Sequence, residues 1–206
     1  MNKVCIAIPT VDGNIYYGLA ILLIKWASQK TIPVEILVQP FFSPVECARN
    51  EIVRRFLLSD CTHLLMIDDD IVPPEDTLER LLFHDKMIAG AVCPVVYPKN
   101  GKLEFAFNAY HKENDGSYTP LINASSALHS VDAIGTGCTM FKREIFEHSK
   151  LLFQTLLDDT GKKWQGEDLN FCEEAKALDI EIFADFRLKC RHIKACDLLE
   201  IYDKIK

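Results

Sequence analysis

The sequence predicts an α/β fold in which a mostly parallel central sheet is flanked by helices. Short apolar runs alternate with helical segments from the N-terminus onward, which is the order found in doubly wound sheets. The apolar run at residues 64–67 ends in three aspartates and is soon followed by two prolines, as in a buried parallel strand. The 206 residues, 49% hydrophobic and 26% charged, suit one globular domain over residues 1–206.

Charge and cysteine content exclude several classes of protein. The net charge of −7 argues against nonspecific nucleic-acid binding, which needs a basic surface. Eight cysteines occur without a C-x-x-C pair, so neither a zinc spacing nor a disulfide framework is visible. Because the sequence shows no secretory signal and no apolar segment long enough to span a membrane, we expect a cytoplasmic protein.

A βαβ unit opens the chain. Residues 4–8 are the first predicted strand, a helix at 15–29 is apolar on most sides and expected to be buried, and residues 34–38 form a parallel strand. The next helix is predicted from a capping box at residues 43–46, with Pro44 at the first helical position, to about residue 58.

The three aspartates follow the strand at 64–67 directly. Ligands of open α/β sheets bind at the carboxyl ends of strands, so Asp68, Asp69 and Asp70 are expected at that edge. Alternation along a strand puts Asp68 and Asp70 on one side and Asp69 on the other. Mutual repulsion favours a bound cation, and oxygen ligands suit Mg²⁺ or Mn²⁺. The alternative, strongest for Asp69, is a turn or capping role.

The middle of the chain is predicted as a series of shorter elements. They are a helix at 75–84, a strand at 87–92, a hairpin or excursion from the sheet at 103–118, a loop at 125–130, a strand at 131–141, a helix at 142–148 and a loop at 151–163. Gly135 and Gly137 interrupt the strand at 131–141. Glycines in that setting indicate either close backbone approach to a ligand or a simple bend.

Carboxylates and cations mark the last third of the sequence. Glu167 and Asp168 stand at the head of an amphipathic helix whose apolar face is expected to hold Leu169, Cys172, Ala175 and Leu178. Their alternative role is to stabilise the helix N-terminus. A final strand at 180–184 precedes Lys189, Arg191 and His192, and residues 195–205 are predicted to form a terminal helix.

The order of these motifs resembles family 2 glycosyltransferases with the glycosyltransferase-A fold, in their small single-domain bacterial and viral form. The motifs that carry the resemblance are Ile8-Pro9-Thr10, Ala48-Arg49-Asn50, Asp68 with Asp70, Gly135 to Cys138, Gly166-Glu167-Asp168 and His192. They cover essentially the whole chain. The Rossmann-like sheet expected above is consistent with that fold.

The resemblance implies a role for each motif. Residues implied in binding the nucleotide-sugar are Pro9, Thr10, Asp12, Arg49, Asp68, Asp69, Gly135, Gly137 and Cys138. Asp70 and His192 would hold the metal, and Asp168, with Glu167 beside it, would act as the catalytic base. Arg49 has a solvated position on its helix as the alternative, and His192 a surface or core position.

These roles imply a Mn²⁺- or Mg²⁺-dependent hexosyltransferase. It would move a sugar from a nucleotide-sugar, UDP-linked rather than GDP-linked, to the hydroxyl of an unidentified acceptor, with inversion of configuration. Two alternatives stay open from the sequence. One is a haloacid-dehalogenase-like phosphatase that uses Asp68 and Asp70, and the other is a nucleotide-sugar-binding module without catalysis.

Overall fold

The computed structural model describes most of the chain, at residues 2–41, 43–99, 102–124, 126–161 and 163–194. The helix predicted at 195–205 lies outside these residues. Within them, no helix is long and apolar enough to cross a membrane.

The described residues form five helices and fifteen strands. The helices are α1 (Tyr17–Ser28), α2 (Val45–Leu57), α3 (Thr77–His84), α4 (Arg143–His148) and α5 (Glu167–Ala177). The strands are β1 (Val4–Thr10), β2 (Val34–Pro40), β3 (His63–Ile67), β4 (Ile71–Val72), β5 (Ile88–Val92), β6 (Pro94–Lys99), β7 (Lys102–Lys112), β8 (Tyr118–Leu121), β9 (Leu128–Val131), β10 (Ala133–Ile134), β11 (Cys138–Lys142), β12 (Leu156–Leu157), β13 (Lys163–Gln165), β14 (Ile182–Lys189) and β15 (Arg191–His192).

A seven-stranded sheet in the order β2-β1-β3-β11-β5-β14-β9 forms the centre. Strands β1, β2, β3, β5 and β14 run in one direction, and β9 and β11 run in the other. The predicted mostly parallel α/β sheet is therefore confirmed. Because β11 lies antiparallel between β3 and β5, its first residue pairs with the last residue of β3, Cys138 with Ile67. This register brings the glycine turn before β11 to the end of β3.

Two apolar layers cover the faces of the sheet, because alternate strand residues point to opposite sides. In β3, Leu64 and Met66 pack in one layer, while Leu65 and Ile67 pack in the other. The first layer includes α2 and α5 and a stack of Phe153 on Phe171, with ring centroids 4.4 Å apart. The second contains the buried faces of α1 and α3.

Two predictions about the early helices are wrong in part. Helix α2 begins at Val45 with Pro44 as its N-cap and no side-chain capping bond, so Ser43 does not form the predicted capping box. Helix α1 is not buried on most sides, since Tyr17, Ile21 and Ile24 are exposed. One layer of helices covers this face of the sheet, and the outer side of α1 faces solvent even though its residues are apolar.

Several later boundaries also differ from the prediction. The predicted loop at 125–130 contains the start of β9, because its backbone pairs with β14 at the sheet edge. The excursion at 103–118 is confirmed as a separate sheet of β6, β7, β8 and β10. Helix α5 buries Phe171 rather than Leu178, which is exposed past the end of the helix.

Candidate active site

A cavity of about 290 Å³ opens at the carboxyl edge of the central sheet. Strand β1 contributes its last residues, Pro9 and Thr10, and the segment after β3 contributes the three aspartates. Arg49 enters from α2, and His192 and Lys194 enter from β15 and the residues after it. The edge at which these groups meet is the one expected for ligands of α/β sheets.

Arg49 is buried beside two carboxylates, with only 4% of the residue exposed. Its Nη2 donates to Asp68 Oδ1 at 3.1 Å, and its Nε donates to Glu167 Oε1 at 3.4 Å. Burial alone lowers the pKa of Arg49, but the charges of Asp68, Glu167 and Asp168 outweigh it and raise that pKa. The solvated alternative for Arg49 is therefore wrong, and its Nη1 remains without a partner among the described residues.

His192 is oriented by a backbone carbonyl. Its Nδ1 lies 2.8 Å from Pro94 O, and because a carbonyl only accepts, Nδ1 donates this bond. The other ring nitrogen, Nε2, lies 3.4 Å from Asp70 Oδ2. Metal-ligating histidines are commonly held by a carbonyl in this way. His192 therefore lies in the cavity wall, which differs from the surface or core position that was its alternative.

Lys194 also lines the cavity, although it was not among the predicted site residues. Its Nζ lies 2.5 Å from Asp70 Oδ2, so a cation already faces the predicted metal ligand. The backbone pairing of β15 with β4, together with a bond from Ile193 N to Asp70 O at 2.9 Å, holds this segment in place. The only signal in the sequence was the further basic residue two positions after His192.

Asp69 lines the same cavity as its neighbours, so the predicted separation from Asp68 and Asp70 is wrong. Strand β3 ends at Ile67 and the chain turns, with Ile71 N bonded to Asp68 O at 3.0 Å, so strand alternation no longer applies. Burial, and then the charges of the other aspartates, raise the pKa of Asp69 despite a hydrogen bond with Thr10. A bound cation would relieve that repulsion.

The side chain of Asp12 stabilises the turn after β1. Its Oδ1 accepts from Asn14 N at 2.9 Å and its Oδ2 from Asn14 Nδ2 at 2.8 Å, which lowers the pKa of Asp12. The residue is exposed and does not belong to the cavity wall. Thr10, which donates to Asn14 O at 3.0 Å, does line the cavity.

Asp168 lies in the first turn of α5, close to Arg49 and the glycine turn. Its Oδ1 accepts from Leu169 N at 2.8 Å, so one oxygen has the helix-stabilising role given above as the alternative. A β-carbon at Gly135 would lie 3.3 Å from the other oxygen, Oδ2. Burial, and then the charge of Glu167, raise the pKa of Asp168. Glu167 itself is the partner of Arg49.

The glycine turn leaves no room for a side chain at Gly135. A β-carbon there would lie 2.9 Å from Asn108 Nδ2, whereas one at Gly137 would lie 3.4 Å from Asp68 Oδ2, an ordinary contact distance. Asn108, which is buried, donates to Gly135 O at 3.2 Å and accepts from Cys93 N at 2.7 Å. Lack of space beside Asn108 and Asp168 explains Gly135, whereas the distances at Gly137 are compatible with a simple bend.

Cys138 does not reach the cavity. Its side chain is fully buried in the apolar layer that includes Ile67 and Met140, so the implied contact with a donor sugar has no support from its position. Only the backbone turn before it borders the site.

The donor set of the cavity fits a divalent cation. Asp70 and His192 offer one carboxylate oxygen and one imidazole nitrogen, a pair suited to Mn²⁺. Among the described residues, the only group of three possible ligand atoms within 4.8 Å of one another lies elsewhere, at Glu35, Asp60 and Cys61. There Lys3 Nζ already forms ion pairs with Glu35 and Asp60, so an ammonium group neutralises those carboxylates.

Solved structures share this fold. The chain aligns over 95% of its length with A197 from STIV, at a TM-score of 0.62 and 22% identity, covering 87% of that chain. It also aligns over 95% of its length with GalNAc-T7, solved with UDP, GalNAc and Mn²⁺, at a TM-score of 0.57 and 10% identity. The chain spans 44% of that second protein. The sequence matches no protein-family model and no curated protein.

These alignments establish the fold alone. The central sheet with its antiparallel β11 and flanking helices is glycosyltransferase-A-like, in agreement with the fold that the sequence predicted.

Proposed function

We propose that the chain is a nucleotide-sugar-dependent glycosyltransferase whose 290 Å³ cavity holds the nucleoside diphosphate. The observation that carries the proposal is the combination of groups in one cavity. Asp70 and His192 suit a cation, while Arg49 and Lys194 suit an anion, and a metal–diphosphate pair needs both kinds of group. A single catalytic domain over residues 1–206 is part of the same proposal.

The cation site is incomplete without the donor. Asp70 and His192 would hold Mn²⁺ or Mg²⁺. When bound, the metal would stabilise the leaving diphosphate as a Lewis acid. The guanidinium of Arg49 and the ammonium of Lys194, from two residues that line the cavity, would bind phosphate oxygens. UDP is the preferred nucleotide, in line with the UDP complex of the aligned GalNAc-T7.

Asp168 is proposed as the general base, with Glu167 fixing Arg49 beside it. Its raised pKa brings the carboxylate closer to the pH at which a base works best. Asp168 takes the proton of an acceptor hydroxyl while that oxygen bonds to the anomeric carbon of the donor. The bond to the diphosphate breaks with its electron pair on the leaving oxygen, and attack opposite that bond inverts the configuration.

Calorimetric titration with UDP, in Mn²⁺ and separately in EDTA, tests the donor site. We expect binding in Mn²⁺ and much weaker binding in EDTA, because the aspartates repel an unaccompanied diphosphate. GDP is the matched nucleotide and should bind more weakly. Equal affinity in EDTA would contradict the cation site.

Two other outcomes would support the alternative functions. An aspartyl-phosphate trapped at Asp68 would support the phosphatase alternative. Binding without any hydrolysis or transfer of UDP-sugars would indicate the non-catalytic module.

A further inference from the structure

A second cavity, of about 580 Å³, is lined in part by the start of α5, the helix whose Glu167 contacts Arg49. The β7–β8 hairpin, strand β13 and helix α5 form its wall. Gly166 and Leu169, both in that wall, flank Glu167 and Asp168 in the sequence. Asp168 lines neither cavity itself, but it belongs to the same helix start as the wall residues Gly166 and Leu169.

We propose that this second cavity binds the acceptor and that the acceptor is a carbohydrate. The inference rests on the proposed function, since it gives a substrate class to the same catalytic centre. A cavity of this volume is within the range of about 300–1,000 Å³ that small-molecule ligands occupy.

Trp164 offers a free aromatic face to a sugar. The residue lines the cavity and is 74% exposed, and its indole has no ring or hydrogen-bond partner within the described part of the chain. The other aromatic ring in the wall, Tyr118, already has Lys112 Nζ at 5.6 Å from its centroid. The C–H face of a pyranose is apolar and weakly positive, so it stacks on the electron-rich face of an indole.

Glu173 accepts hydrogen bonds from three other polar side chains of the cavity wall. Its carboxylate accepts from Lys112, from Gln165 Nε2 at 3.0 Å and from Tyr118 OH at 3.4 Å. The bond from Lys112, followed by that from Gln165, lowers the pKa of Glu173, so it stays ionised at neutral pH. An ionised carboxylate has about four lone-pair sites, so one remains for a sugar hydroxyl.

The charges in the wall disfavour a phosphate-rich acceptor. Asp115 and Glu173 supply two carboxylates, against the single ammonium of Lys112. A nucleic acid would need the opposite balance. Neutral hydroxyl groups that both donate and accept match the amide, phenol and carboxylate of this cavity better than a charged polymer does.

A fluorescence titration tests the inference directly, because the chain has two tryptophans and the other, Trp26, is only 1% exposed. The probes are methyl pyranosides and their β-linked disaccharides, compared with a Ser/Thr peptide and an oligonucleotide. We expect a saccharide to bind and Trp164→Ala to weaken it by about tenfold or more, which corresponds to ~1.4 kcal/mol. Trp164→Phe should keep part of the affinity.

The matched control is Phe83→Ala, at an aromatic residue of α3 that is 87% exposed and outside both cavities. It should bind saccharides like the unmodified protein. Trp164→Ala should also keep its melting temperature and its affinity for UDP with Mn²⁺, while KM for the saccharide acceptor rises.

The two proposals fail in different ways. If UDP with Mn²⁺ does not bind the unmodified protein, the proposed function fails at the donor cavity. If UDP binds but no saccharide of the panel does, or if Trp164→Ala leaves saccharide affinity unchanged, the acceptor inference is overturned alone. Transfer to the peptide or the oligonucleotide that is insensitive to Trp164→Ala would overturn it as well.

Discussion

Arg49 Nη2 lies 3.1 Å from Asp68 Oδ1, and the same guanidinium reaches Glu167, which is 118 residues further along the chain. One buried cation thereby connects the aspartates after β3 with the head of α5. The two halves of the candidate site share this residue, so its removal should affect both folding and ligand binding.

Arg49→Met is expected to destabilise the fold by roughly 3 kcal/mol, because it leaves a mostly buried Glu167 carboxylate without its partner. UDP affinity should fall as well. Chemical denaturation and calorimetry measure the two effects. Arg54→Met on the same helix is the matched control, since its side chain is 62% exposed, and little change is expected there. Similar stability of both variants would contradict the structural role of Arg49.

Asp168→Asn is expected to lower turnover by roughly 10²–10⁴-fold while UDP binding stays nearly intact, because the base acts on the acceptor proton. Steady-state kinetics and calorimetry separate these quantities. Near-normal turnover would leave Asp168 with the helix-stabilising role alone.

The raised pKa of Asp168 gives a second, pH-dependent expectation for the same variant. The folded state binds this proton more tightly than the unfolded state, so the carboxyl favours folding less as pH rises from 3.8 through the folded pKa. The free energy of unfolding of Asp168→Asn, relative to that of the unmodified protein, should therefore rise with pH over that window. A difference that is constant with pH would contradict the raised pKa.

His192→Ala is expected to weaken Mn²⁺ binding in the presence of UDP by about tenfold or more, by analogy with the cost of losing supporting metal contacts. Lys194→Met is the contrasting variant, since it removes the ammonium that lies 2.5 Å from Asp70 Oδ2. It should raise affinity for Mn²⁺ alone and lower affinity for UDP. His148→Ala, at an exposed histidine of α4, serves as the control. Unchanged Mn²⁺ affinity in His192→Ala would remove it from the metal site.

Gly135→Ala should reduce turnover and cost about 1–3 kcal/mol of stability, because the added methyl group has no room beside Asn108 and Asp168. Gly137→Ala is the graded comparison. The nearest atom to its β-carbon would be 3.4 Å away, an ordinary contact, so a smaller effect on stability is expected. Thermal unfolding and steady-state kinetics of both variants measure these effects. A larger effect of Gly137→Ala than of Gly135→Ala would contradict the lack of space at Gly135.

Local patterns determined most of the secondary structure and several site residues. The apolar run before Asp68 predicted β3, and a βαβ opening predicted the parallel strands β1 and β2. Such patterns report which residues are buried and where a strand or helix stops, because the periodicity of side chains follows directly from backbone geometry. They also placed Asp70 and Asp168 at element ends, where ligand-binding groups collect, but they put Gly135 and Gly137 inside one strand that the structure divides into β10 and β11.

Only the tertiary structure decided which of these ends meet. The antiparallel insertion of β11 brings Gly137 O within 3.0 Å of Asp68 N, and the pairing of β15 with β4 brings Lys194 to Asp70. The burial of Arg49 between Asp68 and Glu167 likewise depends on α2 and α5 packing on the same face. These contacts join residues far apart in sequence, and their free energy comes from burial and strand pairing that no local window contains.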